Sequence, residues 1–279
     1  MECLELKKIS AGLEFRDGIW VSKSKSGISF PENGYNRCFQ FEEHSFWFIH
    51  RNNCIIETVK NFPPAGCFFD IGGGNGFVSI GLEKNGINTC LVEPGMEGIL
   101  NARKRKLRNL VCSSFDDAHF HENSLPAIGA FDLIEHIDND SSFLSKLAEA
   151  LIYNGRLFLT VPAFNTLWSS VDDYSGHFRR YTLKSMSSKL KAAGFEIEYG
   201  TYIFSILPIP IFLFLSIPDR IVKKKDSSLQ KSIKQHNQKA NITNKVLNKI
   251  WEKELSFIKR KRRIPIGGSC LFVAKNLRR

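Results

Sequence analysis

Cys67-Phe68-Phe69-Asp70-Ile71-Gly72-Gly73-Gly74-Asn75-Gly76-Phe77 is the stretch that decides the fold. Its first five residues, mostly apolar and carrying one carboxylate, read as a short buried strand. Gly72, Gly74 and Gly76 let the backbone turn tightly and approach a ligand closely. Residues from Phe77 to about Asn85 then read as a helix, whose N-terminus points at whatever the loop holds. This order of strand, glycine turn and helix places a ligand at the carboxyl end of a sheet strand. The dinucleotide fingerprint G-x-G-x-x-G would need glycine at position 77, which is Phe77; the spacing is instead G-x-G-x-G after Asp70.

Outward from the loop, strands and helices alternate. Asn88 to Glu93 reads as a second strand, with a helix following through Ala102. Leu110-Val111-Cys112 reads as a third strand and Ile128 to Ile134 as a fourth. An amphipathic helix spans Ser141 to Tyr153, Gly155 to Pro162 is a fifth strand, and Thr182 to Ala193 a helix. Phe195 to about Ile203 is a sixth strand and Gly268 to Lys275 a seventh. Such alternation implies a Rossmann-like α/β fold: a seven-stranded, mostly parallel sheet with helices on both faces. Residues 1–40 read as an irregular leader. Residues 41–204 together with 266–279 form the core, opened by a helix from Phe41 to Lys60 that Pro63-Pro64 stops. Residues 205–265 are an insertion before the last strand.

Composition narrows the class. The chain has 279 residues, 43% of them hydrophobic, and a formal net charge of +11. That charge favours an anionic partner: phospholipid surface, phosphorylated substrate or nucleic acid. None of the seven cysteines forms a C-x-x-C pair, so no zinc ribbon and no metal site is expected. Cys67, Cys90, Cys112 and Cys270 sit in apolar runs and read as buried free thiols. The first ten residues lack an apolar signal segment, and the expected location is cytoplasmic.

Glu93 ends the second strand at the right distance from the loop. A carboxylate there can accept both ribose hydroxyls of an adenosine. Gly129-Ala130-Phe131-Asp132-Leu133-Ile134-Glu135-His136 ends the fourth strand in a polar cluster. After the fifth strand, Trp168, Asp172, His177, Arg179, Arg180 and Tyr181 lie within fourteen residues, a density suited to substrate recognition. Arg-Asp pairs within a structural lid are the other reading of that segment.

The Asp70–Gly76 loop resembles the first motif of class I S-adenosylmethionine-dependent methyltransferases. Phe131-Asp132-Leu133-Ile134-Glu135-His136-Ile137 resembles the F-D-V-L-E-H-I signature of a broad bacterial family among them. His44-Ser45-Phe46-Trp47-Phe48 with Arg51-Asn52 is similar to its H-F-W-F-x-x-R-N segment, and Gly176-His177-Phe178-Arg179-Arg180-Tyr181-Thr182 to its G-H-x-R-R-Y-T segment. The resemblance implies S-adenosyl-L-methionine as cofactor, held by Asp70, Gly72, Gly73, Gly74, Gly76 and Glu93. It places Asp116 on the adenine amino group with Phe115 packing on the ring, and Phe131 and Asp132 beside the methionine part. It covers roughly residues 40 to 204 plus the last strand.

Methyl transfer to a hydroxyl or amine needs a base of near-neutral pKa, and His177 and His136 are the candidates. A carboxylate acceptor needs none; Arg179 and Arg180 would then position it, with Trp168 and Tyr181 beside it. The N/D-P-P-Y/F motif of base methyltransferases is absent after the fourth strand, so nucleic acid is disfavoured as substrate. RNA modification through the basic surface and a non-catalytic nucleotide-binding role remain the alternatives. Gly200 to Pro218 carries no ionisable group except Tyr202, and Lys223-Lys224-Lys225 and Lys259 to Arg263 follow. Pro208 and Pro210 break the apolar run, so it reads as an interface-dipping segment or an apolar lid rather than a span. A small-molecule or lipid-linked acceptor follows from either version, with an anionic membrane surface as a partner in the first.

Overall fold

A computed structural model describes residues 6–24, 34–221 and 243–278. The central strands follow the expected order: β3 (Phe68–Ile71), β4 (Thr89–Glu93), β5 (Leu110–Cys112), β6 (Leu125–Phe131) and β7 (Leu151–Pro162). All of these pair in parallel. The last two strands are β8 (Phe195–Ile203) and β9 (Ser269–Asn276). β9 inserts between β7 and β8 and runs antiparallel to both. The final strand is thus interior, and β8 forms the edge.

The sheet has nine strands rather than seven, because the leader is not irregular. After a short α1 (Leu6–Ile9), β1 (Leu13–Arg16) and β2 (Ile19–Ser22) form a hairpin. β2 adds in parallel to β5 through Trp20 and Val21. The full order is β1-β2-β5-β4-β3-β6-β7-β9-β8. The hairpin turn is Asp17-Gly18, with φ of +50° and +82°. Such a two-residue turn matches the right-handed twist of its strands.

Side chains alternate between the two faces of the sheet. Leu157, Leu159 and Val161 of β7 pack with Leu144 and Leu147 of α7 (Asp140–Ala150) and Met186 and Leu190 of α9 (Leu183–Ala192). Phe158 points the other way. It joins Ile55 and Val59 of α3 (Phe46–Asn61), Leu82 of α4 (Phe77–Glu83), and Trp251 and Ile258 of α12 (Thr243–Lys259). α5 (Met96–Lys104) covers the β4–β5 end through Ile99 and Ala102. The helix predicted from Phe41 starts at Phe46: α2 (Gly34–Phe41) is a separate helix of about two turns, and residues 42–45 link the two.

The 205–265 interval divides. Its first part is helical, α10 (Pro208–Ile211), a π turn (Phe212–Ser216) and α11 (Ile217–Ile221). Lys223-Lys224-Lys225 and most of the polar 226–245 stretch lie outside the described residues. Its last part, α12, belongs to the body. The Trp251 ring stacks on His50 at 4.4 Å. Glu254 accepts from His50 Nε2 at 2.8 Å and from the Phe204 and Ser205 amides at 2.6 and 2.9 Å. No helix among the described residues is long and apolar enough to cross a membrane. Cys54, Cys90, Cys112 and Cys270 are buried free thiols, whereas Cys67 is disulfide-bonded, against the expectation for it.

β3 is the point where the connections reverse. β4 lies on one side of it and β6 on the other, so the loops leaving β3 and β6 part and open a crevice at the carboxyl edge. Gly72–Gly76 follows β3 and Asp132 follows β6, one on each side of that crevice.

Candidate active site

The glycine loop is built by packing from below. Gly72, Gly74 and Gly76 have φ of +68°, +57° and +71°, values that L side chains adopt only with strain. A Cβ on Gly73 would sit 2.4 Å from Leu91 and 2.6 Å from Asp70, and one on Gly76 would sit 2.4 Å from Leu107. A Cβ on Gly74 would meet nothing within 4 Å. Of the four, Gly74 is the one that faces open space, a cradle that a side chain would enter. Asp70 lies beneath the loop and is fully buried. Its Oδ2 accepts from Ser79 Oγ at 2.7 Å, which ties β3 to α4, and its Oδ1 has no partner. Burial pushes its carboxyl up to about 6, against the Ser79 hydroxyl and Arg51. Asp70 therefore supports the loop from beneath.

Glu93 points at the loop as predicted. Its Oε2 accepts from the Gly74 amide at 2.9 Å, and its Oε1 accepts from the Gly95 amide at 2.9 Å. A third donor was not foreseen: the Tyr35 hydroxyl on α2 reaches Glu93 Oε1 at 2.6 Å. The Tyr35 ring lies where Gly95 and Gly98 have no side chains, since a Cβ on Gly95 would fall 2.3 Å from it. α2 is held there by Asn75, which donates to the Tyr35 carbonyl at 2.9 Å, and by the Arg105–Glu42 ion pair at 2.8 Å. Burial raises the Glu93 carboxyl despite these donors, and burial and the Glu93 charge push the Tyr35 hydroxyl well above the ordinary phenol range.

The other expected cofactor residues divide. Asp132 closes β6 with φ +51° and is gripped by Thr160 Oγ1 at 2.8 Å and by Arg51 of α3. Arg51 itself lies 4.7 Å over the Trp47 ring. Phe131 is instead a core residue, stacked on Phe68. Phe115 opens α6 (Phe115–Ala118), and its ring is committed to Phe120 and Phe143. Asp116 pairs with Lys146 at 2.8 Å and is more than half exposed, so a contact from it to an adenine amino group would require that pair to open. Both aromatic rings thus have core partners, and by sequence alone an apolar residue near the carboxyl end of a strand reads equally well as core or as ligand contact.

The two histidines come together. His136 lies in a 3-10 turn (Ile134–His136) and follows Asp132 by four residues. His177 follows α8 (Ser170–Ser175), and the two rings meet edge to face at 4.8 Å. His177 Nδ1 is 2.8 Å from Asp172 Oδ1, which assigns the proton to Nδ1 and leaves Nε2 as an acceptor. Burial and the neighbouring His177 lower His136 to about 4, so it is a neutral ring at pH 7. Glu135 beside them is buried, and burial together with Asp132 raises its carboxyl well above the usual range.

Asp172 organises this segment. Besides His177 it binds Arg180 through Nε at 2.8 Å and Nη2 at 2.9 Å, and it accepts from the Ser169 amide at 2.9 Å. Arg179 pairs with Asp140 at 3.0 Å and donates to the Asp138 carbonyl at 2.7 Å. The buried Tyr181 hydroxyl donates to Asp140 at 2.8 Å, and Trp168 Nε1 to Asp173 at 3.0 Å. All four expected substrate residues are thus internally partnered; Arg180 and Tyr181 in particular build the wall and do not point from it. Tyr35 and Arg51 were the residues not expected as members of the site, and Asp172 and Glu135 were expected only as parts of polar segments. Tyr35 and Arg51 work through partners 58 and 81 residues away, which spacing does not display.

Comparison with known proteins fits this arrangement. A family described as a methyltransferase domain matches residues 48–199, more than half of the chain. No curated protein sequence matches. Among solved structures, an S-adenosylmethionine-dependent methyltransferase from Thermotoga maritima aligns with TM-score 0.55 and 15% identity, over 88% of this chain and 96% of its own. A Haloferax volcanii methyltransferase solved with its activator Trm112 gives 0.54 and 14%, over 89% and 96%. Phosphoethanolamine N-methyltransferase 2 of Haemonchus contortus, in complex with phosphomonomethylethanolamine and S-adenosylhomocysteine, gives 0.55 and 18%, over 89% and 58%. With the glycine cradle, the carboxylate that closes β4 and the crevice between β3 and β6 all falling inside the matched span, the chain belongs to the methyltransferase-domain family.

Proposed function

We propose that the protein transfers a methyl group from S-adenosyl-L-methionine to a small-molecule or lipid-linked acceptor bound beside His136 and His177. The observation that carries this reading is the Gly74 position, open to a ligand while every other loop glycine is packed. Glu93 stands beside it with its Oε2 on the Gly74 amide. The donors and space present fit the cofactor. Gly72–Gly74 would hold its amino-acid part, Glu93 its ribose hydroxyls, and Asp132 its ammonium group. When bound it supplies an electrophilic methyl for in-line displacement. The chain aligns the acceptor on the His177 side and takes up its proton at His177 Nε2, with Asp172 fixing the ring. A small polar acceptor is in keeping with the phosphoethanolamine N-methyltransferase among the structural neighbours.

Docking on an anionic membrane surface is supported by the helical stretch after β8. Ile209 and Phe214 are 70% and 74% exposed there, and the chain carries a net charge of +11. Exposed apolar anchors on a chain of net positive charge favour an interfacial position. Incubation with methyl-radiolabelled cofactor and cell extract, followed by fractionation, tests the whole reading. Label is expected in the lipid or small-molecule fraction. Label confined to RNA or protein would refute the acceptor class, and no label in any fraction would refute turnover.

A further inference from the structure

Glu135, His136 and His177 each present a ligating atom to a common point: a carboxylate oxygen and two imidazole nitrogens lie within 4.8 Å of one another. We propose that these three residues bind a divalent transition-metal ion of the zinc or cobalt type.

Three observations on the chain support this. First, Glu135 is 1% exposed, and its Oε2 has no hydrogen-bond partner. A buried carboxylate without a partner is costly, and coordination to a cation is one of the few ways to satisfy it. The nearby guanidinium groups are already engaged: Arg51 holds Asp132, and Arg180 holds Asp172. Second, His177 is oriented as a metal ligand would be. Its Nδ1 is bound to the buried Asp172, which leaves Nε2 as the nitrogen free to ligate, the carboxylate–histidine arrangement that fixes a ligating ring. Third, the elements that carry the ligands are rigid and joined. Glu135 and His136 leave β6 in a 3-10 turn, and the Phe178 amide donates to the Glu135 carbonyl at 2.8 Å, locking the His177 loop to that turn.

The donor set selects the ion. Two imidazoles and a carboxylate match catalytic zinc and the facial triad of other first-row ions, whereas magnesium prefers oxygen ligands. Bond lengths near 2.1 Å place tetrahedral donors about 3.4 Å apart, so side-chain closure of ~1.4 Å at most completes the site. Three protein ligands leave at least one coordination position open. On the reading that the acceptor binds here, with the ion bound His177 Nε2 would be a ligand and no longer the base; an acceptor hydroxyl would take the open position, and the ion would stabilise the charge left as its proton passes to solvent. A second cluster, His50, Cys54 and Glu254, has similar spacing. Its Glu254 already accepts from His50, the Phe204 and Ser205 amides and the Ser205 hydroxyl. That cluster is a structural pin and serves as the control.

The test is titration of the chelator-treated full chain with Co²⁺, followed by visible d–d absorption and calorimetry, with S-adenosylhomocysteine binding measured on the same samples. One equivalent of Co²⁺ is expected, with affinity weakened at least tenfold in His177→Ala and in Glu135→Gln and unchanged in Cys54→Ser. Zn²⁺ should displace the cobalt and bleach the bands. Absence of stoichiometric Co²⁺ binding in the wild-type chain would overturn the proposal. So would binding that survives His177→Ala and Glu135→Gln but is lost in Cys54→Ser. Retained S-adenosylhomocysteine binding alongside a failed metal titration would remove the metal site alone and leave the methyltransferase reading standing.

Discussion

Replacing Gly74 by alanine separates ligand binding from folding. At φ +57° a Cβ costs about 1–2 kcal/mol of backbone strain. No atom stands within 4 Å of that Cβ, so no clash is added. For a chain of this length each kcal/mol lowers the melting temperature by roughly 2–4 °C, so Gly74→Ala should melt about 2–8 °C below wild type. The same methyl enters the space assigned to the cofactor. Overpacking of that kind costs about 1–3 kcal/mol, a loss of roughly 5–150-fold in affinity for S-adenosylhomocysteine. Gly86 supplies the control. It has φ +79° and equally open surroundings, but lies in the turn between α4 and β4. Gly86→Ala should show the same melting loss with unchanged calorimetric affinity. If the two variants bind the ligand equally well, the open space at Gly74 is not the cofactor cradle and the reasoning fails.

Other outcomes follow from particular contacts. Tyr35→Phe removes the hydroxyl that occupies Glu93 Oε1; S-adenosylhomocysteine should bind roughly 10- to 150-fold tighter by calorimetry, because the ribose no longer displaces a charge-assisted hydrogen bond of about 1.5–3 kcal/mol, and weaker binding would mean that Tyr35 contacts the ligand itself. Asp172→Ala strands Arg180 and His177 and should destabilise the chain by about 3–5 kcal/mol in urea unfolding. The Glu254 carboxyl is held below its ordinary value: burial would raise it, but the His50 ring and the Ser205 donors outweigh burial. A depressed folded-state value means stability that is present above about pH 4.5 and lost as the pH falls further. Glu254→Gln should therefore flatten the acid limb of the stability profile, and a parallel limb would contradict this.

The sequence was legible where local pattern and tertiary fate coincide. The β3 strand, the loop and α4 form one contiguous signal, and Glu93 follows from a strand end at fixed distance. The β1–β2 hairpin was written there too, as Asp17-Gly18 between apolar residues, but four-residue strands at a sheet edge are easily read as irregular. The Arg179-Arg180-Tyr181 run admitted two readings, substrate grip or Arg-Asp pairs within a lid, for a different reason. An arginine that grips a substrate and one that grips Asp140 or Asp172 are the same letter, and their partners lie 8 to 39 residues away. Tyr35 on Glu93, 58 residues apart, shows the same limit at the cofactor: which donors converge on a buried carboxylate depends on packing that no spacing rule encodes. The Lys259–Arg263 cluster sits at the end of α12, a helix whose apolar face is committed to α3, so this charge and the exposed Ile209 and Phe214 are carried by different elements.

The central claim is that the cofactor lies against Gly74 with its sugar on Glu93. A crystal structure of the chain with S-adenosylhomocysteine measures this directly. The account predicts ribose hydroxyls within hydrogen-bond distance of the Glu93 carboxylate and the Tyr35 hydroxyl released from Oε1. Ligand bound elsewhere, or Tyr35 still seated on Glu93 beneath a bound ligand, would contradict it.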